Sequence, residues 1–179
     1  MSPKKNCKGA ILDAAEDVVV KSGAAHITLD AVCAKAGVSK GGLLYHFPSK
    51  EALIDAMLKR VIEQIEDSKK REMAKLKDAP HKEIKAHVLA CLSQSKRTNR
   101  ICAVLAAAAA HDPKFIAPAR EYYRKAFKEF IESGLRFERA AVLSFAVDGL
   151  WLTQIFGISL FNAKQRQTII REILALADE

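Results

Sequence analysis

The chain has 179 residues, half of them hydrophobic but only 7% aromatic, with eight glycines, five prolines and a formal charge of +8. That length supports one or two domains with a real core and no need of disulfide staples, and the scarcity of aromatics, Gly and Pro argues against a sheet sandwich. Basic charge suits an anionic partner, but residues 1–60 carry nine basic and six acidic side chains and the remainder twenty and fifteen, so charge alone locates no binding face.

Four cysteines, Cys7, Cys33, Cys91 and Cys102, form no CxxC pair and follow no secretory signal; they are expected to be reduced thiols in a cytoplasmic protein. Ile11, Ala15, Val18 and Val19 recur at helical spacing and predict a first helix over about 6–22, stopped by Ser22-Gly23, where glycine can take a left-handed cap. Thr28 then reads as an N-cap, with Asp30 in the first turn of a short helix over Leu29–Ala36. Gly37 ends that helix, Ser39 caps a third, and Pro48 requires the third to be over by Phe47.

Ser49 opens a fourth helix, whose apolar stripe runs through Leu53, Ile54, Met57, Leu58, Val61, Ile62 and Ile65. From Glu66 to Lys77 it turns strongly charged, the pattern of a solvated bridge between packed units. Further helices are expected over about 80–96, 99–111, 113–133, 136–161 and 164–177, and no period-2 strand set occurs. The fold class is therefore all-α, with about nine helices: a helix-turn-helix domain over 1–50 (the motif itself over about 28–47), a connecting helix over 51–77, and a second helical domain over 78–179, to which the resemblance given below assigns ligand binding and dimerisation. Between Arg139 and Lys164 only Asp148 is charged. Asp148, Gln154, Asn162 and the lack of flanking aromatic anchors favour a buried core or interface helix over a membrane span.

Cap, helix, glycine turn and second capped helix, about twenty residues from Thr28 to Phe47, have the length and punctuation of a helix-turn-helix, whose second helix enters the DNA major groove. Adjacent glycines, Gly41 and Gly42, are costly in a helix. On the first turn of a recognition helix they remove bulk where backbone must approach DNA; a tight helix–helix contact is the alternative. Lys40 and Lys50 are cations beside helix starts, where the dipole does not favour them, and an external anion would account for both.

The segment TLDAVCAKAGVSKGGLLYHFPSKEAL, Thr28 to Leu53, resembles the DNA-binding signature of the tetracycline-repressor (TetR) family of bacterial transcriptional regulators. The resemblance implies that Thr28, Tyr45 and Lys50 contact phosphates, while Ser39, Lys40, Gly41, Gly42 and His46 face the groove. Two departures stand out: Leu44 replaces a tyrosine common in the family, and Gly42 a threonine. Less base readout by side chains follows, and more rests on backbone contact and DNA shape.

The resemblance further implies a small-molecule pocket in the second domain. Its candidate lining is His87, Cys91, Ala106, Tyr122, Tyr123, Phe127, Trp151 and Ile155, whose low polarity points to a mostly apolar or aromatic ligand. Phe145, Gly149, Leu152, Phe156 and Phe161, with Ile169, Ile170, Ile173 and Leu174, give the last two helices more apolar surface than one face needs, which suits a homodimer built on a four-helix bundle. His87 and Cys91 are four apart, but two ligands make a weak metal motif, and no metal or cofactor is expected. Phe156–Phe161 begins like a nucleophile elbow yet lacks the second glycine, and no catalytic or nucleotide-binding motif occurs. The expected function is a sequence-specific DNA-binding regulator, most simply a ligand-responsive repressor on a palindromic operator in double-stranded DNA. A nonspecific DNA binder and a helical ligand-binding protein or enzyme without operator specificity are the rivals.

Overall fold

The computed structural model describes residues 7–22, 27–158 and 160–178. The cap expected at Gly23, and Ser159 of the rejected elbow, lie outside them. The described residues form α1 (Cys7–Ser22), α2 (Leu29–Ala36), α3 (Lys40–His46), α4 (Lys50–Leu76), α5 (Lys82–Leu92), α6 (Lys96–His111), a 3-10 turn (Pro113–Ile116), α7 (Ala117–Glu132), α8 (Phe137–Ile155) and α9 (Ala163–Leu176), with no strand among them. None of these helices is long and apolar enough to cross a membrane.

They fall into two compact units. One joins the chain up to Val61 with Lys96–Ala119; the other joins Ile62–Ser95 with the chain from Arg120 onward. In the first, α1 lies against both α2 and α6. Ile11, Ala15 and Val19 of α1, Val32 of α2, Leu43 of α3, Leu53, Met57 and Val61 of α4 and Ile101 of α6 are all buried, so every helix gives its apolar stripe to one core. A charge cluster accompanies that core. Glu16, itself buried, faces Arg60 at 3.5 Å and Arg97 at 3.6 Å, and Arg97 also pairs with Asp17 at 2.8 Å. A buried carboxylate is tolerated only with such partners, and these tie the first turn of α6 and the middle of α4 to α1.

In the second unit, Ile84, Val88 and Leu92 of α5, Phe130 of α7, Leu143, Val147 and Leu150 of α8 and Ile173 of α9 form one core. Three elements differ from the sequence expectation. Lys69, expected on a solvated face, is 2% exposed, because it continues the four-residue spacing of Val61 and Ile65 into the unit. Asp112 accepts from the Lys114 N–H and Pro113 follows, which winds a 3-10 turn before α7 instead of a single helix over 113–133. Helix α8 stops at Ile155 and does not reach 161. Gly157 sits at φ 69°, and the Ile158 N–H returns to Thr153 O at 2.8 Å, a Schellman-type stop.

The turn between α2 and α3 depends on Gly37 at φ 66°, whose N–H bonds Cys33 O. Gly37→Ala forces a side chain into the left-handed region and is expected to cost about 1 kcal/mol. Urea unfolding checks this; an unchanged midpoint would mean that the turn relaxes without cost.

Candidate nucleic-acid interface

Two hydroxyls cap the paired helices α2 and α3. Thr28 Oγ1 accepts from the Ala31 N–H and Ser39 Oγ from the Gly42 N–H, each at 3.1 Å. Each oxygen is used as an acceptor, which leaves the hydroxyl proton able to donate to a phosphate. Helix α3 has only seven residues, too few to persist alone; burial of Leu43 and Phe47 holds it down. Its opposite side is bare. Tyr45 is 86% exposed, and Lys40, Gly41 and Leu44 are also exposed.

A Cβ added at Gly41 would meet nothing within 4 Å. One added at Gly42 would meet only Ser39 Oγ, at 3.3 Å. Internal packing therefore asks for glycine at neither position, apart from the snug cap at Gly42. His46 is half-buried and stands edge-on to the Tyr45 ring at 5.1 Å, so its imidazole is partly oriented by its neighbour. Lys50 begins α4 and has no ion pair among the described residues. Lys40 has one: its ammonium lies 3.0 Å from Asp30 Oδ1. Sequence pattern assigned Asp30 to the helix dipole alone; its i+10 relation to Lys40 across the turn is visible only once α2 and α3 fold together. Both side chains are well exposed, so the pair is weak and open to exchange.

Residues 11–57 match the bacterial regulatory proteins of the tetR family, and residues 81–178 match the tetracyclin repressor-like C-terminal domain. The chain belongs to the TetR family. Over 56 residues it is 46% identical to the HTH-type transcriptional regulator RutR of Escherichia coli (strain K12), a match spanning 31% of this chain and about a quarter, 26%, of that relative. It is 25% identical over 157 residues to the HTH-type transcriptional regulator BetI of Stenotrophomonas maltophilia, covering 82% of this chain and 80% of that one. A solved transcriptional regulator from Rhodococcus sp. Rha1 shares the fold with a TM-score of 0.76 at 21% identity, over 95% of each chain. The RutR and BetI relatives are HTH-type transcriptional regulators.

In the second unit, three of the residues expected around a ligand meet. Tyr122 Oη lies 3.2 Å from His87 Nδ1, and Cys91 Sγ lies 3.6 Å from His87 Nε2. Burial pushes the Tyr122 hydroxyl up, so it stays protonated and can either donate to Nδ1 or accept from it, according to the imidazole tautomer. His87 stands edge-on to Phe130 at 5.3 Å, and Lys69 Nζ lies 5.6 Å from the same ring while paired with Glu129. Lys69 and Glu129 were not legible as site residues; the four-residue step from Ile65 was the available signal. Tyr123 donates to Asp148 Oδ1 at 3.0 Å. Phe127 meets Phe137 edge-on at 5.7 Å, Trp151 packs against the core, and Ile155 ends α8 half-buried. Among the described residues no three His, Cys, Asp or Glu side chains group as a metal site.

Burial, with help from the Lys69 charge, lowers His87 from 6.5 to about 4. The unfolded chain then binds this proton first, so stability is full above pH 6.5 and is lost as pH falls toward 4. The shift corresponds to about 3 kcal/mol. His87→Gln is expected to flatten that acid-side loss in urea titrations between pH 4 and 6.5; equal slopes in both proteins would show that His87 takes up its proton without opening the core.

Proposed function

We propose that the protein is a ligand-responsive repressor that binds a palindromic operator as a homodimer in the cytoplasm. The observation that carries the DNA-reading assignment is the bare face of α3: Gly41 has open space around it, and Tyr45, edge-on to its neighbour His46, projects into solvent. Ser39, Lys40, Gly41, Gly42 and His46 face the groove in this reading, while Thr28, Tyr45 and Lys50 hold phosphates, each supplying a hydroxyl proton or an ammonium. Because Lys40 must exchange Asp30 for DNA, its net contribution is smaller than that of Lys50.

Helix α8 supports the dimer. Ala140, Leu143, Val147 and Leu150 form its buried side, while Val142, Phe145, Gly149 and Leu152 recur at three- and four-residue steps on the opposite, exposed side, and Phe156 and Phe161 continue the apolar surface beyond it. Ile169, Ile170 and Leu174 of α9 are half-buried, whereas Ile173 belongs to the unit's own core. A two-fold dimer on such a stripe would present two α3 helices to major grooves about 34–36 Å apart. An effector held near His87, Tyr122 and Cys91 would act through α4, a single helix that starts at Lys50 and ends at Leu76. Its leverage is bounded by its preference for the released state, about 1–3 kcal/mol.

Selection of bound sequences from a random DNA pool by the purified protein, at about 0.15 M salt, tests this reading. One enriched palindrome is expected; an unenriched pool from folded dimer would replace the operator-specific reading with nonspecific binding or a function in the second unit. Gly41→Ala separates packing from recognition. It should raise stability by about 0.5–1 kcal/mol yet weaken operator binding about ten-fold or more, as a lost close approach requires. Unchanged affinity on the selected operator would remove Gly41 from the contact surface.

A further inference from the structure

The first unit contains a cavity of about 420 Å³ that the DNA-reading assignment does not use. Val19 of α1, Ile54 of α4, Leu105 and Ala108 of α6 and Phe115 of the 3-10 turn line it, together with Lys50 and Glu51, where α4 begins. The alanine run of α6, Ala106 to Ala110, here has a spatial consequence. At Ala108 a leucine would fill space that the alanine leaves open. An apolar hollow of this kind forgoes stabilisation that a larger residue would supply.

The charged groups at the site are not equivalent. Glu51 is engaged first by the Ser49 side chain and then by its own backbone N–H, with the neighbouring Lys50 charge a smaller contribution, and together they hold its carboxyl below the usual range. Lys50 has no ion pair among the described residues. The cavity thus offers apolar walls and, at its edge, an ammonium that makes no salt bridge among the described residues, beside a carboxylate already engaged by Ser49, a setting that takes an apolar body with a single anionic group on Lys50.

We propose that this cavity is a binding site for an aromatic or branched aliphatic monocarboxylate, its apolar body against Val19, Ile54, Leu105, Ala108 and Phe115 and its carboxylate on Lys50. The site lies wholly within the unit that carries α2 and α3 and is separate from the His87 cluster. An occupant there competes with DNA phosphate for Lys50; this consequence, though not the site, rests on the assignment of Lys50 to DNA.

Calorimetric titration of the full chain with 2-naphthoate, without DNA, tests the site independently of that assignment. Saturable binding with a Kd between about 10 µM and 1 mM is expected for a ligand of this size. Ala108→Leu, which fills the cavity, should weaken it about ten-fold or more. Lys50→Gln should weaken naphthoate about three-fold and leave the neutral 2-naphthamide unchanged. Absence of saturable binding by the wild-type chain overturns the proposal. So does naphthoate binding that Ala108→Leu leaves intact, which would place the ligand elsewhere. Should Ala108→Leu fail to fold, the Lys50→Gln comparison decides: equal naphthoate affinity in that variant and wild type overturns the site.

Discussion

The hydrogen bond from the Gly42 N–H to Ser39 Oγ is the contact on which the presentation of α3 depends. A seven-residue helix satisfies few of its own backbone groups, so its start must be set from outside the helical ladder. Ser39 does this at the N-terminus, Gly37 sets the angle of entry through a left-handed φ, and Leu43 and Phe47 anchor the inner face. With those four positions fixed, the outer face is free of structural duty. Gly41 and Tyr45 can then be chosen for what approaches from solvent.

The rest of that unit is held by buried charge as well as by apolar packing. Glu16 would be costly without Arg60 and Arg97, and these come from α4 and α6. Arg97 also draws on Asp17, whose carboxyl is held low first by Arg97 and then by Lys35. Helix α6 lies within the stretch that matches the family's C-terminal domain, yet it packs in the unit that contains α2 and α3. The division of the chain by sequence family and its division by packing are therefore different. The Arg97 contacts show why: a cation in the first turn of α6 is needed on α1.

Much of this was legible from local signals. Thr28, Gly37 and Ser39 carry their cap chemistry within three or four residues, so α2 and α3 could be bounded from sequence to within a residue. Non-local partners were not. Asp30 with Lys40, Glu16 with Arg97 and Lys69 with Glu129 are joined by folding, and the sixty residues between Lys69 and Glu129 leave no periodic trace of their meeting. The end of α8 was missed for a related reason. An unbroken apolar run continues through Phe156 and Phe161, and hydropathy does not register the positive φ at Gly157 that stops the helix.

That apolar run also explains why a membrane span and a dimer helix look alike in sequence. Helix α8 is hydrophobic on two opposite sides, one filled by the core of its own unit and one exposed. Asp148 sits beside the exposed stripe, where partial burial raises its carboxyl and Tyr123 hydrogen-bonds it. A bilayer would leave this carboxyl beside lipid. A second protein surface would not, since it can cover Phe145 and Leu152 while a polar rim keeps Asp148 and Tyr123 satisfied. The single acidic residue in an otherwise uncharged stretch thus fits a protein surface over the exposed side of α8 better than lipid, and Gly149, without a side chain on that side, would leave room for a helix to approach closely.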